Sequence, residues 1–252
     1  MSIEILTSSW QDAPAPADRP LIAIGDIHGR LDLLRALHQH LECQVLPDAR
    51  AHGCPLVVHL GDYIDRGPDS LGCLLAADAF APEECETLLL PGNHEQMALD
   101  ALDGREDIDL WLMNGGTSAL AGMDPDEFAE AARGPLNRLR AAPAARLEAR
   151  WLLSHAGVPR RTAPAEVPGM EWRGTPDRED DHPLWVRDAF LGRGQTYPCG
   201  TVVLHGHTIT RAVEVRPWRV GIDLGAYRTG RLCAAEVLDG RIRFHTATLS
   251  RN

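Results

Sequence analysis

The stretch Leu21-Ile22-Ala23-Ile24-Gly25-Asp26-Ile27-His28-Gly29 sets four apolar residues ahead of a glycine, a carboxylate and an imidazole. Residues 21–25 read as a buried strand. Asp26 and His28 stand two apart, so on an extended strand end their side chains point to one face. Residues 30–42 then carry leucines at 31, 34, 37 and 41, a helical period. The pattern returns twice. Residues 56–61 read as a second strand, running into Gly61-Asp62-Tyr63-Ile64-Asp65-Arg66-Gly67, with a helix over 70–80. Residues 87–92 read as a third strand, followed by Asn93-His94-Glu95 and a helix over 94–102. Strand, polar loop and helix, three times over, is the signature of βαβ units, and sites in such sheets lie beyond the carboxyl ends of the strands.

Working outward, residues 1–20 read as an N-terminal extension, either a leader or an edge, and 21–250 as a single domain. Residues 105–149 are rich in Ala, Arg and Leu and read as helical, and Trp111-Leu112-Met113-Asn114-Gly115-Gly116 ends one helix at its glycines. Residues 158–181 read as a loop. Residues 150–154, 201–204, 213–215, 220–224, 232–238 and 241–249 read as strands, with Asp239-Gly240 as a hairpin turn. The expected fold is α/β: a βαβαβ half, then a mainly antiparallel half.

The 252 residues are 44% hydrophobic, enough for one sizeable core. A formal net charge of −11 argues against a broad nucleic-acid-binding face. Every basic residue is arginine. Residues 201–252 hold eight Arg against four acids, whereas residues 1–200 hold 17 against 32, so the C-terminal part is locally positive. The six cysteines form no CxxC pair, which gives no sign of a zinc knuckle or a redox motif. No apolar run approaches the ~20 residues that span a bilayer, and the N-terminus shows no signal-peptide pattern. The expectation is a cytoplasmic protein with no membrane and no nucleic-acid partner; oligomeric state is not legible.

The three blocks place two carboxylates, an amide and imidazoles at three strand ends. Asp62 lies 36 residues after Asp26, and Asn93 a further 31, the length of a βαβ step. A carboxylate can bridge two cations through its two oxygens. Mixed oxygen and nitrogen donors suit Mn, Fe, Zn or Mg better than a soft metal. Two such ions, about 3.5–4 Å apart, can clamp a phosphate and activate water. His155 and His207, each beside a glycine, can complete the set.

These blocks, with His155-Ala156-Gly157 and Gly206-His207-Thr208, resemble the calcineurin-like metallophosphoesterases, whose motifs are GDxHG, GDxxDRG, GNHE, HAG and GHT. The resemblance runs from about Leu21 to Leu238. It implies a β-sandwich flanked by helices. The sequence Asp62-Tyr63-Ile64-Asp65-Arg66-Gly67-Pro68, the run Asn114-Gly115-Gly116 and Leu184-Trp185-Val186-Arg187 are similar to the bacterial and phage-type serine/threonine protein phosphatases. Ile209 stands where many other members have a second, metal-binding histidine. The resemblance implies a metal-dependent phosphomonoesterase acting on a phosphoprotein or a small phosphorylated substrate. Two divalent ions, Mn2+ in the first instance with Fe, Zn or Mg able to serve, would be held by Asp26, His28 and bridging Asp62, and by Asp62, Asn93, His155 and His207. His94 would be the general acid, paired with Asp65, and Arg66 and Arg187 would hold the phosphate oxygens. A metal-bridged hydroxide would attack phosphorus directly.

Two other functions use the same motifs. A symmetrical dinucleoside tetraphosphate hydrolase, turning Ap4A into two ADP, would need positive charge for the second half of its substrate, which Arg211, Arg216, Arg219, Arg228 and Arg231 could provide. A non-catalytic scaffold of this fold should have lost a ligand or the acid, and none is lost. Among the remaining residues, His59 reads as a strand histidine. His38, His40, His52 and His245 read as surface residues. His205 is an alternative to His207. His182, Asn114, Tyr227 and Arg228 are candidates for pocket contacts.

Overall fold

In the computed structural model, which describes residues 2–192 and 197–250, two mixed sheets pack face to face with helices on the outside of the first. The first sheet runs β1 (Ser2–Thr7), β12 (Arg241–Ser250), β11 (Arg231–Leu238), β3 (Leu21–Ile24), β4 (Leu56–His59), β5 (Glu86–Leu89), and the short β2 (Gln11–Asp12) also pairs with β12. The second runs β6 (Ala145–Glu148), β7 (Trp151–Ser154), β8 (Val202–His205), β10 (Arg219–Gly221), β9 (Glu214–Val215).

Strands β3, β4 and β5 are parallel neighbours, joined by the helices Leu31–His40 and Ser70–Ala79. Their apolar runs are continuous because both faces are covered. Leu21, Ala23, Leu56 and Val58 face the second sheet and meet Trp151, Leu153, Val202, Leu204 and Val220. Ile22, Ile24 and Val57 face the helices and meet Leu33, Leu34, Leu37 and Met97. The helix Ser70–Ala79 is started by Asp69, whose carboxylate accepts from the Gly72 N–H at 2.7 Å, a cap contributing about 1 kcal/mol. The expected helix over 30–42 is regular to His40 and continues as a wider turn to Val45.

Three expectations are corrected. Residues 145–148 are not helical: β6 pairs antiparallel with β7 across a turn in which Ala149 takes φ 50°. Its Ala and Leu read as helix formers, but the residues sit on a half-buried sheet edge. The second sheet is not mainly antiparallel, since β7–β8 and β8–β10 pair in parallel. The connection from β7 to β8 carries only short helical turns, so the sequence shows no crossover helix to announce parallel pairing. Finally, His38 and His245 are buried and His40 is half-buried, whereas His52 is exposed. His38 Nε2 lies 2.9 Å from His59 Nε2 under Phe80, and His245 Nε2 lies 2.9 Å from Glu236. Residues 2–7, at the start of the chain, form the edge strand paired with β12.

Candidate active site

The carboxyl ends of β3, β4, β5, β7 and β8 converge. Asp26 and His28 follow β3, Asp62 and Asp65 follow β4, Asn93 and His94 follow β5, and His155 and His207 follow β7 and β8. The loops are stitched to one another through the backbone. The Ile27 and His28 N–H groups donate to Asp62 O at 3.0 and 2.8 Å. The His207 N–H donates to the Asp26 carboxylate at 2.9 and 3.1 Å, and the His94 N–H to Asp62 Oδ1 at 3.2 Å. His28, Asp62, Asp65, Arg66 and His207 are five of eleven described non-glycine residues with positive φ. Left-handed backbone costs on the order of 1–3 kcal/mol per residue and persists where the surroundings over-determine it. Gly92 and Gly206 permit the close packing: a Cβ on the first would overlap Asp62 Oδ1, and one on the second Asp26 Oδ1.

The imidazoles are turned so that lone pairs meet. His155 Nδ1 lies 2.9 Å from Leu60 O, and His28 Nδ1 lies 2.8 Å from Ile64 O. A carbonyl can only accept, so each Nδ1 carries the proton and each Nε2 is left as an acceptor. His155 Nε2 sits 3.1 Å from Asn93 Oδ1, 3.2 Å from His207 Nδ1 and 3.5 Å from Asp62 Oδ1. His28 Nε2 is 3.3 Å from Asp62 Oδ2. His207 Nε2 is buried with no hydrogen-bond partner among the described residues. Asp62, His155 and His207 can reach one ion, as can His28, Asp62 and His94, and Asp62 is common to both groups. Converging buried acceptors of this kind fit cations, so the donor set passes the test for divalent metals. Asp26 and Asn93 adjoin these groups through the His207 N–H and His155 Nε2.

The electrostatics agree. Burial would lift the Asp62 pKa, but the imidazoles of His155, His94 and His28 hold it well below the usual carboxylate range. Burial pushes His155 down to about 4 and His207 well below the ordinary histidine value, so both are neutral donors at physiological pH. Asp26 is raised well above its usual value by burial and by the negative charges of Asp223 and Asp62.

His94 and Asp65 form a separate pair. His94 Nδ1 is 2.5 Å from Asp65 Oδ2, both residues are almost wholly buried, and the Trp111 indole donates to the same carboxylate at 3.0 and 3.2 Å. This fixes the His94 ring and leaves Nε2 as its free end. Arg66 is exposed at the mouth, where Nη1 donates to His28 Nε2 at 3.0 Å beneath the Tyr227 ring, 5.2 Å away. One lone pair serves one partner, so a cation on His28 would release the Arg66 fork to the opening. Arg187 is half-buried and its positive charge acts on His207.

Other candidates lie elsewhere. His205 turns away: its Nδ1 donates to Gly206 O and its ring packs edge-on against Phe190. His182 accepts the Leu184 N–H at 3.1 Å and shapes the turn ahead of Arg187. Asn114 Nδ2 donates to Leu110 O, a helix-end contact. The five C-terminal arginines form no common surface: Arg219 is buried against Glu214 at 2.7 Å, while Arg231 donates to Arg211 O. Tyr227 is at the mouth, edge-on to His28 at 5.2 Å.

Two buried acids carry roles that the sequence reading missed. Glu95 accepts four backbone N–H groups, those of Asp62, Tyr63, Ile64 and Gly92, at 2.7–3.2 Å, and so holds the bridging loop in place. Asp223 follows β10 and is 3% exposed, and burial raises its carboxyl to about 6. Its signal was the same as that of Asp26: an apolar strand, an aspartate, then a glycine two residues on.

The model of the calcineurin-like phosphoesterase family matches residues 19–227. Serine/threonine-protein phosphatase 1 of Salmonella typhimurium is 44% identical over 107 residues, 42% of this chain and 44% of that protein. Serine/threonine-protein phosphatase 2 of the same organism is 27% identical over 231 residues, 88% of this chain and 95% of that protein. A protein serine/threonine phosphatase structure from Saccharomyces cerevisiae superposes with TM-score 0.60 at 14% identity, covering 94% of this chain and 82% of that one, a likeness of fold.

Proposed function

Because the chain belongs to the calcineurin-like phosphoesterase family, we propose that it is a metal-dependent phosphomonoesterase of the serine/threonine protein phosphatase type. The observation that carries the reading is the His94–Asp65 pair at 2.5 Å, set beside the converging acceptors of Asp62, Asn93, His155 and His207. One group fits cations; the other fits a proton donor.

In this reading Asp26, His28 and Asp62 would hold one divalent ion, and Asp62, Asn93, His155 and His207 a second, with Mn2+ the first candidate. The ions would supply Lewis acidity to the phosphoryl oxygens and to the attacking water. The chain's own residues do the rest. Arg66 and Arg187 bind the nonbridging oxygens by charge-assisted forks. Asp65 and Trp111 orient the His94 ring so that Nε2 faces the leaving oxygen and protonates the alkoxide as the ester bond breaks. The substrate would be a phosphoprotein, with the protein acting in the cytoplasm.

The dispersal of Arg211, Arg216, Arg219, Arg228 and Arg231 speaks against a built site for the second half of a dinucleotide. The test is a substrate panel in added Mn2+, comparing a phosphoserine peptide with diadenosine tetraphosphate. A kcat/KM on the peptide at least tenfold below that on the dinucleotide overturns the assignment.

A further inference from the structure

The two halves of the acceptor cluster are unequal. The half around His155 has four side chains, Asp62, Asn93, His155 and His207, while the half around His28 has three, Asp26, His28 and shared Asp62. Asp223 lies beside the poorer half and has no part in the reaction as described. It follows the carboxyl end of β10, in the same place on its strand as Asp26 and Asp62 on theirs. Its backbone adjoins that of Asp26: the Ile222 carbonyl is packed against Gly25, close enough to crowd a Cβ there at 3.1 Å. The Thr210 N–H donates to Asp223 O at 3.0 Å, and the Gly225 N–H donates to Asp223 Oδ1 at 2.7 Å. Its loop is held from the other side by Ile209, whose side chain packs on Gly225.

Asp26, Asp62 and Asp223 are 2%, 2% and 3% exposed. Three carboxylates buried together repel one another, and burying each charge is costly without a cation. Asp223 opposes the ionisation of Asp26 more strongly than Asp62 does, and it acts on His28 and Arg66 as well. The main charges acting on His155 and His207 are Asp62, His94 and neighbouring basic groups, not Asp223. Its electrostatic reach is thus confined to one half of the site.

We propose that Asp223 is a third carboxylate of the metal centre, a positioning residue that strengthens binding of the ion held by Asp26 and His28 and not of the ion held by Asn93, His155 and His207. The proposal rests on the reading of the cluster as a two-metal site. Outer residues that support metal ligands cost about 10–100-fold in affinity when removed, and a like loss follows for the ion at Asp26.

The experiment is calorimetric titration of the metal-free full chain with Mn2+, alongside elemental analysis of the loaded protein. Wild type should bind two ions. Asp223→Asn keeps the acceptor for the Gly225 N–H but removes the charge; it should weaken one binding event by about 10–100-fold and leave the other within about twofold. Asp223→Glu keeps the charge one methylene further out and should fall between the two. The metal-free forms of both variants should melt no lower than wild type, because a repulsion has been relieved or left unchanged. Wild-type affinity for both ions in both variants overturns the proposal. So does an equal loss at both ions with a lowered melting temperature, the mark of a merely structural residue. None of these readouts depends on which phosphate ester is hydrolysed, so failure of the phosphatase assignment on substrates is distinguishable from failure here.

Discussion

Replacing His94 by Asn separates the two groups of the site. The His94 ring is 1% exposed, with Nδ1 committed to Asp65 at 2.5 Å. Asparagine keeps a short polar side chain in that space but cannot deliver a proton. A positioned general acid contributes about 10²–10⁴-fold, or roughly 3–5.5 kcal/mol of barrier at ~1.4 kcal/mol per decade. All of that is needed when a serine alkoxide leaves. Little is needed when an activated aryl oxide leaves, since it departs as the anion. The expected result is therefore a kcat loss of about 10²–10⁴-fold on a phosphoserine peptide and a loss of under about tenfold on para-nitrophenyl phosphate. Metal content must be followed in the same preparations, because His94, His28 and Asp62 can reach a single ion. Intact metal with unequal losses supports the acid. Equal losses on both substrates, or loss of one equivalent of metal, refute the reasoning and make His94 a ligand instead.

Three further outcomes are expected. Asp62→Asn should lower occupancy of both ions, read by elemental analysis, because its two oxygens face His28 and His155 separately at 3.3 and 3.5 Å; loss of one ion alone would contradict the bridge. Glu95→Gln should destabilise the metal-free protein by about 3–5 kcal/mol in denaturant unfolding, since the amide turns two donor hydrogens toward N–H groups that now have an acceptor; a change under about 1 kcal/mol would mean the loop is held otherwise. The third concerns His38 and His59, pushed by burial to about 2 and about 3 and therefore neutral in the fold. Their unfolded values, near 6.5, are higher, so the unfolded chain takes up protons first, and stability is lost as pH falls below about 6.5. The pair contributes about 2.7 kcal/mol per pH unit between pH 4 and 6, and His59→Gln should remove about half of that slope in urea midpoints. An unchanged slope would mean that the pair does not govern acid sensitivity.

Much of this architecture was legible because the signal is local. A buried parallel strand must be apolar on both faces, and the chain must then turn at its carboxyl end, so Ile24-Gly25-Asp26 and Leu60-Gly61-Asp62 announce strand, turn and polar side chain in consecutive residues. What was hidden depends on pairing across distance. Nothing in Thr201–Val203 reveals that β8 runs parallel to β7, because the intervening chain builds no long helix. The buried fate of His38 and His245 depends on partners 21 and 9 residues away, His59 and Glu236, on neighbouring elements. Glu95 sits inside a legible motif, yet its task lies in the backbone of a loop some thirty residues earlier.

The charge of the site follows from the same geometry and changes the division of labour within it. Two divalent ions against Asp26 and Asp62 alone would leave a pocket of charge +2; with Asp223 ionised beside Asp26 the balance falls to +1. A phosphomonoester dianion then exceeds the charge that the ions and acids leave uncompensated. The deficit falls to Arg66 and Arg187, of which Arg66 is exposed and is held only by His28 and the Tyr227 face. An arginine so placed can reach the incoming phosphate before the ions do. Substrate capture thus belongs to the arginines at the mouth and chemistry to the buried donors beneath, which places selectivity among phosphate esters at Arg66, Tyr227 and Arg187 rather than at the metal ligands.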